Sequence, residues 1–151
     1  MTTALLVVLF GWLAFNILAP YSVLFRAKRI SWGRLPAVLL TSVKDRKVRF
    51  YMMDLQQSYG YSVLAPPLNL IVFDRAFFAK ASPAIIRFVV AHELAHFSLG
   101  HHWKRWLAVV LGLSAFPVTK RWFLRMEDEA DAVAIKRTGF TRKMFQEIHT
   151  P

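Results

Sequence analysis

The hydrophobic pattern opens with a long uncharged stretch at the N-terminus. Residues Met1 to Phe25 carry no charged side chain, and Ala4–Phe25 is apolar apart from Asn16 and Ser22. A helix of that length spans about 33 Å at ~1.5 Å per residue, enough for the ~30 Å hydrocarbon core of a bilayer. A signal peptide would have a basic start and a small-residue cleavage site, which this stretch lacks. We therefore predict a retained transmembrane anchor over residues 1–25.

A basic cluster follows this stretch directly and consists of Arg26, Lys28, Arg29 and Arg34. Lys and Arg collect on the cytoplasmic side of membrane proteins, and none precedes the apolar stretch. We therefore expect the N-terminus outside and the rest of the chain in the cytoplasm, joined through a basic link over residues 26–35. Pro20 lacks an amide hydrogen, so it is expected to kink the anchor helix or to end it early.

From residue 36 onward the pattern changes to short apolar segments separated by polar or proline-containing turns. Segments rich in β-branched and aromatic residues are typical of strands. The predicted strands are Val38–Val43, Val48–Met53, Tyr61–Leu64 and Leu70–Phe73. The breaks between them include the polar run of residues 44–47 and the Pro66-Pro67 pair, both of which favour turns.

A longer segment with helical periodicity comes next. Apolar residues recur at helical spacing over residues 84–99. Ser82 is a good N-cap, and Pro83 suits the first helical position because its missing amide hydrogen is not needed there. Gly100 can supply the C-terminal cap. The pattern therefore predicts a helix over about residues 82–99.

A second helix is predicted from about Lys120 to Thr138, where Gly139 ends it, and Thr141 is suited to cap a last short helix toward His149. Strands followed by helices indicate an α+β domain, here a small sheet with packed helices over residues 36–151.

Composition limits the chemistry that this domain can carry. The 151 residues contain no cysteine, so a metal would have to be held by histidine and carboxylate side chains. The formal net charge is +11, which favours either an anionic membrane surface or nucleic acid as a partner. Because we find no nucleic-acid-binding motif, we expect membrane lipids and no nucleic acid.

The sequence His92-Glu93-Leu94-Ala95-His96 lies inside the predicted helix over residues 82–99. Two histidines four residues apart lie on one helix face and can bind one ion. Glu93 lies roughly 100° around the helix from His92, so it can reach a water at the metal without binding the metal itself. The pattern therefore predicts Zn²⁺ on His92 and His96, with Glu93 as general base for hydrolysis. A helix with an ordinary polar stripe is the alternative.

A catalytic zinc needs three protein ligands and one open position. Glu127 and Asp131 are four residues apart on the second predicted helix, so they also share one face. We predict Glu127 as the third ligand of one zinc per chain, and Asp131 as an acceptor that orients a ligand imidazole. A solvated acidic patch is the alternative interpretation. Against it, the HExxH motif and the segment Glu127–Asp131 together hold five of the nine acidic residues of a basic protein.

HExxH followed by ExxxD on a later helix is the gluzincin pattern, and half of the chain resembles the membrane peptidases that include HtpX and the CAAX prenyl protease. The β-lactam-sensor membrane peptidases resemble it nearly as well. The resemblance implies a small zincin-like domain and cytoplasmic-side endoproteolysis of membrane or lipidated substrates at a bacterial inner membrane, with an edge strand that binds the substrate. Asn69–Phe73 resembles the family's edge strand, and Ala76–Phe78 resembles the turn after it. The other matching segments are Ile86–Ala91, Leu99–His102, and Glu127–Asp131 with Gly139-Phe140.

The chain departs from HtpX-like relatives between the two motifs, where they commonly have a pair of membrane helices. Trp106–Val118 offers only a short, largely apolar segment, too short for a hairpin. A single crossing would separate Glu127 from His92 across the membrane. We therefore expect this segment either to form a buried helix or to dip into the membrane interface. Trp103, Trp106 and Trp122 would be anchors for the second arrangement. The basic residues that flank the segment suit anionic headgroups; they are Lys104, Arg105, Lys120 and Arg121.

Two further hypotheses remain open. In a metzincin-type enzyme His102 would be the third zinc ligand, but that arrangement needs a glycine at position 99, and the chain has Leu99 followed by Gly100. In the other, the chain is a non-catalytic, basic membrane-surface or nucleic-acid-binding protein with a vestigial HExxH. We find no convincing oxyanion-stabilising residue.

Overall fold

The computed structural model of the chain describes residues 2–29, 48–55, 59–65, 68–113 and 116–140. The predicted strand Val38–Val43, most of the basic link over residues 26–35, and the predicted C-terminal helix toward His149 lie outside these residues. Within them the fold is α+β, as predicted, with one mixed sheet and a group of helices.

The N-terminal apolar stretch forms two helices rather than one. Helix α1 spans Thr2–Leu18, a 3₁₀ turn spans Ala19–Tyr21, and α2 spans Ser22–Arg26. The break contains Pro20, which confirms the predicted early end of the first helix and follows from the missing amide hydrogen of proline. Among the described residues, no helix is long and apolar enough to cross a membrane. The predicted transmembrane anchor is therefore not supported.

In the described part of the chain, four strands form a single sheet in the order β1-β2-β4-β3. Their bounds are Lys28–Arg29 for β1, Val48–Met53 for β2, Gly60–Ala65 for β3 and Leu68–Asp74 for β4. The predictions for β2, β3 and β4 are confirmed. β1 falls in the segment that we predicted to be a link, and it pairs antiparallel with β2.

β4 lies inside the sheet, with β2 parallel to it on one side and β3 antiparallel to it on the other. Ile71, for example, is opposite both Phe50 of β2 and Ser62 of β3. The expectation that Asn69–Phe73 forms the edge strand is therefore wrong. Strand order depends on contacts between distant segments, which the local pattern does not contain. Among the described strands, β3 is the edge strand on the side of the predicted catalytic residues.

Side-chain alternation along β4 divides the core between the two faces of the sheet. Ile71 and Phe73 are fully buried in the larger cluster, which includes residues of the HExxH helix. Leu70 and Val72 point to the opposite face and pack in a smaller cluster with Tyr51 and the segment around α2. Residues at i and i+2 share a face of a strand, so a strand buried on both faces has an uninterrupted apolar sequence.

Two of the four described helices that follow the sheet were predicted, and signals at their ends are as expected, although the second begins at Pro117 and not at Lys120. Helix α3 spans Arg75–Lys80, α4 Pro83–Ser98, α5 His101–Val110 and α6 Pro117–Thr138. At the start of α4, the Ser82 hydroxyl accepts a hydrogen bond from the Ile85 amide at 3.4 Å, as predicted for an N-cap. Gly100 and Gly139 both have left-handed backbone angles, a conformation that glycine adopts without the steric cost of a Cβ atom.

The apolar segment 106–118 does not form a buried helix of its own. Its first residues complete α5, and its last residues begin α6. Among its described residues Ala108 is buried, whereas Leu107, Leu111, Phe116 and Val118 are 50–72% exposed. The alternative of an ordinary core helix is therefore wrong for this segment.

Candidate metal centre

Helix α4 places His92 and His96 on one face, one turn apart. Their ring centroids are 4.8 Å apart, and the two Nε2 atoms are separated by 3.1 Å. Helix α6 packs along α4. Both helices carry buried alanines along their length, among them Ala95 on α4 and Ala130 on α6. Because alanine side chains are small, they allow the two backbones to approach closely, and polar side chains near the alanines then meet.

Glu127 of α6 completes a three-residue group with the two histidines. Its Oε2 lies 3.2 Å from His92 Nε2 and 3.5 Å from His96 Nε2. All three potential ligand atoms lie within 4.8 Å of one another, and among the described residues this is the group of histidine and acidic side chains that could hold a metal ion.

The donor atoms fit a tetrahedral zinc site. Bonds of about 2.0–2.2 Å at tetrahedral angles place neighbouring ligand atoms about 3.3 Å apart. The three separations here, 3.1, 3.2 and 3.5 Å, lie close to that value. Two imidazoles and one carboxylate are also the ligand types found in catalytic zinc sites with one open position. The residues present therefore fit the ion that the sequence predicts.

Each of these three side chains has a further polar partner behind it. Asp131 Oδ1 lies 2.8 Å from His92 Nδ1, as expected for the orienting acceptor. His101 Nδ1 lies 2.9 Å from His96 Nδ1. The Arg105 guanidinium donates to Glu127 Oε1, whereas Oε2 is the oxygen near the two histidines. Neither His101 nor Arg105 was predicted from the sequence as a partner of the metal group, although His101 stands in the Leu99–His102 segment that carries the family resemblance.

His101 is a fully buried polar residue of α5. Its Nε2 lies 3.1 Å from Glu129 Oε2 on α6, so both ring nitrogens have a partner. Burial is the main cause that lowers the pKa of His101, because desolvation disfavours the charged imidazolium. His101 therefore joins α4, α5 and α6 at one point directly behind His96.

Glu93 is buried, yet it lines a cavity of about 390 Å³ together with His92, Glu127 and Asp131. The remaining lining residues come from the start of β3, from α4 and from α6. They are Tyr59, Gly60, Phe88, Val89, Leu124 and Asp128. The three-residue group and the predicted general base thus open into the same space, beside the edge strand.

A comparison with known families agrees with this geometry. The chain matches the sequence profile of Peptidase family M48 over residues 40–148. That span includes both motifs and most of the chain. The chain belongs to this family. Comparison with curated proteins gave no match.

Membership of M48 makes the chain a metallopeptidase of the family that includes HtpX and the CAAX prenyl protease. Of the two families that the sequence resembles, the match therefore lies with the first. The matched residues 40–148 begin well after the N-terminal apolar stretch, so the family assignment does not depend on how that stretch is interpreted.

In this M48 chain, the charges at the site favour the ionised form of Glu127, the predicted third ligand. Hydrogen bonds from His92, then His96 and Arg105, hold the pKa of the Glu127 carboxyl far below its ordinary value. Burial opposes protonation of His92 and is the largest single influence on it, but Glu127, Glu93 and Asp131 together outweigh burial and raise its pKa. Glu127 is consequently a carboxylate at neutral pH, the form in which it can bind a cation.

His102, the alternative third ligand, lies away from this group. Its ring packs on Phe97, with centroids 4.4 Å apart, and lies 6.1 Å from the ring of His96. Burial, followed by nearby positive charge, lowers the pKa of His102 to about 3. Leu99 keeps a right-handed backbone, and the left-handed residue is Gly100. The turn that a metzincin needs at position 99 is therefore absent, and His102 does not turn back toward His92.

Proposed function

We propose that this M48 metallopeptidase is a zinc-dependent endopeptidase in which His92, His96 and Glu127 hold the metal. The observation that carries the proposal is the convergence of these three side chains at separations suited to a tetrahedral ion. Zinc bound there would supply Lewis acidity, which polarises a peptide carbonyl and lowers the pKa of a water molecule to about 7.

Glu93 is proposed as the general base and then the general acid. It would accept a proton from the attacking water and deliver it to the departing amine, so the proton that leaves the nucleophile reaches the leaving group. Two observations support this role. Glu93 lines the same cavity as His92 and Glu127, and its side chain is not a member of the three-residue group.

Asp131 is proposed to fix the orientation of His92. When zinc is bound, a hydrogen bond from Nδ1–H of His92 to the Asp131 carboxylate would leave the lone pair on Nε2, the nitrogen that faces His96 and Glu127. Such carboxylate–histidine pairs hold a ligand ring in place and make it more basic. Two observations support this arrangement: His92 Nδ1 and Asp131 Oδ1 are 2.8 Å apart, and the two side chains are only 15% and 16% exposed.

The proposed substrate is an extended segment of a peptide or protein, including membrane-associated ones. β3 pairs with β4 along one side and is the sheet edge nearest the cavity, where Tyr59 and Gly60 contribute to the lining. An unpaired strand edge can take up an extended peptide through main-chain hydrogen bonds. A substrate aligned along β3 would pass the cavity that holds Glu93, which suits internal cleavage of a chain.

We also propose membrane lipids as a partner. Members of M48 are often membrane-associated. The outer surface of α5 and the start of α6, here called the apolar surface, consists of exposed side chains. They are Trp103, Leu107, Leu111, Leu113, Phe116, Val118 and Trp122. Lys104, Lys120 and Arg121 are exposed beside it, and tryptophan and cationic residues together suit an anionic headgroup layer.

The test of the peptidase is metal analysis combined with cleavage of an unstructured polypeptide. We expect about one zinc per chain, and Glu93→Gln should keep the metal while losing at least about a hundredfold in cleavage rate, the usual scale for a general base. Asp54→Asn is the matched control because it neutralises an exposed carboxylate outside the cavity, and its rate should equal that of the wild type. Cleavage by Glu93→Gln at the wild-type rate would refute the mechanism.

A further inference from the structure

One face of α5 supplies partners to two different residues of the metal group. His101 and Arg105 are four residues apart, so they lie one above the other on the same side of the helix. His101 reaches His96 on α4, and Arg105 reaches Glu127 on α6. Asp131 of α6 does the same for His92, so each member of the three-residue group has one partner of its own.

The hydrogen bonds behind His96 fix the positions of the protons. In the arrangement proposed above, Nε2 of His96 faces the other two ligands, so its proton is on Nδ1. That proton can be donated only if His101 Nδ1 is an unprotonated acceptor. His101 then carries its own proton on Nε2, which donates to the Glu129 carboxylate at 3.1 Å. Glu129, His101 and His96 therefore form one directed series of hydrogen bonds that ends at the metal-binding nitrogen.

Arg105 acts on the carboxylate of Glu127 in a corresponding way. Its guanidinium donates to Oε1, while Oε2 is the oxygen that lies near both histidines. The guanidinium also lies over the ring of Phe123, with Cζ 5.5 Å from the centroid, which restricts its position. With Oε1 occupied, the carboxylate offers a single oxygen to the metal group.

We propose that the inner face of α5 positions the metal ligands, with His101 setting the tautomer and orientation of His96, and Arg105 setting the rotamer of Glu127. This inference rests on the proposed zinc site and adds two residues to it. Neither residue lines the cavity, so both are positioning residues and not catalytic ones. Removal of such partners typically weakens metal binding by about 10- to 100-fold.

The alternative role for His101 is to fill space in the core without positioning His96. A pair of substitutions distinguishes these two roles. His101→Gln keeps an acceptor for His96 and a donor for Glu129, whereas His101→Leu fills the same fully buried space without either. If His101 positions the ligand, His101→Leu should weaken zinc binding at least about tenfold, and His101→Gln should recover most of the loss. If His101 only fills space, the His101→Leu variant should bind zinc as tightly as the His101→Gln variant does.

The measurement is the zinc dissociation constant, from competition with a chelator, together with the thermal midpoint of the metal-free protein. We expect zinc affinity to fall in the order wild type, His101→Gln, His101→Leu. The thermal midpoints of the metal-free proteins should not follow this order. Equal affinity of His101→Leu and the wild type would overturn the role of His101. If His101→Leu fails to fold, His101→Gln decides alone. This variant keeps both hydrogen bonds, so a loss of zinc affinity of more than about a hundredfold with a wild-type thermal midpoint would contradict the proposed role of His101.

Arg105 is only partly buried, so its substitution is less of a risk to folding. Arg105→Met should weaken zinc binding at least about tenfold, whereas Arg125→Met, which removes an exposed cation from α6, should leave it unchanged. If the two variants lose equal affinity, general electrostatics explains the result and the role of Arg105 is wrong. If the wild type itself binds no zinc, the proposed function fails with this inference. If it binds zinc and all variants bind equally well, the inference alone fails.

Discussion

The two faces of α5 differ in a way that reverses the usual distribution of residues in a water-exposed domain. The inner face buries a histidine completely at His101, whereas the outer face leaves Trp103 and Leu107 57% and 50% exposed. Polar groups are normally left in water and large apolar side chains removed from it, because each reversal costs free energy. A single helix here does both.

The difference indicates that the two faces of α5 are suited to two different surroundings, a metal site on the inner face and an apolar phase on the outer face. On the inner face, hydrogen bonds satisfy both nitrogens of His101, and a metal ion would use the lone pairs that converge in front of His92 and His96. On the outer face, Trp103 and Leu107 stay about half exposed, so an apolar phase from outside would be needed to remove the rest of their surface from water. Contiguous exposed apolar surface usually marks such an interaction site.

The largest effect is expected from removal of the third ligand on the inner side. Glu127→Ala should abolish stoichiometric zinc binding, because two imidazoles alone leave the ion without its carboxylate. His102→Ala should leave the metal content nearly intact, since the His102 ring packs on Phe97 and is not a member of the three-residue group. Elemental analysis of both purified proteins makes the comparison. Loss of zinc in His102→Ala with retention in Glu127→Ala would overturn the ligand set.

The elements of the inner region could largely be predicted from the sequence because their signals are local. Ser82 and Pro83 mark the start of α4, and Gly139 marks the end of α6, within the same few residues in which those helices begin and end. The spacing of His92 and His96 places them on one face in any α-helix. The Glu127–Asp131 pair follows the same rule, so both ligand-bearing faces follow from periodicity alone.

The partners supplied by α5 could not be predicted because they depend on how the chain turns after α4. Gly100 adopts a left-handed conformation, and this turn directs α5 back toward the histidines. Arg105 belongs to a basic run that suggests solvent or headgroups, yet its guanidinium contacts Glu127. The order of the strands was missed for the same reason, since the pairing of β4 with both β2 and β3 is a long-range property.

A smaller effect, on the outer face, tests whether the apolar surface binds lipid. Leu107→Glu should weaken binding to vesicles that contain anionic lipid by about tenfold, because burial of a leucine contributes about 1.5–3 kcal/mol and a carboxylate is repelled by the headgroups. Lys80→Glu is the control, since it changes the net charge by a larger amount on the exposed end of α3, outside the apolar surface. Sedimentation with vesicles at several salt concentrations provides the measurement.

The two outcomes of the vesicle experiment are distinct. If Leu107→Glu loses affinity and Lys80→Glu loses less, then the outer face of α5 contacts the bilayer. If Lys80→Glu loses as much or more, then the positive charge of the whole chain is responsible, and the contrast between the faces of α5 has no part in lipid binding. Zinc content should be unchanged in both variants, because neither side chain contacts the three-residue group.

The smallest effect is expected at Asp74, which lies outside both faces of α5 and so provides a baseline. Its carboxylate accepts from the Phe77 amide at 2.8 Å and from the Leu55 amide at 2.9 Å, capping α3 and holding the end of β2. These two hydrogen bonds, the one from Phe77 first, lower the pKa of Asp74. Asp74→Ala should therefore lower the free energy of unfolding by about 1–2 kcal/mol at neutral pH, the usual contribution of an N-cap.

The dependence of this effect on pH follows from the direction of the shift. A carboxyl whose pKa is lower in the folded than in the unfolded state stabilises the fold above the unfolded-state pKa, and this contribution is lost as the pH falls through the folded-state pKa. The difference between the wild type and Asp74→Ala should accordingly shrink below about pH 4, the ordinary range for aspartate. Asp74→Asn keeps a capping oxygen and should lose less than Asp74→Ala. Urea unfolding at several pH values measures all three proteins, and a difference that grows on acidification would contradict the assignment. Zinc affinity and vesicle binding should stay at wild-type values in both Asp74 variants, which would separate a general loss of stability from the specific effects on either face of α5.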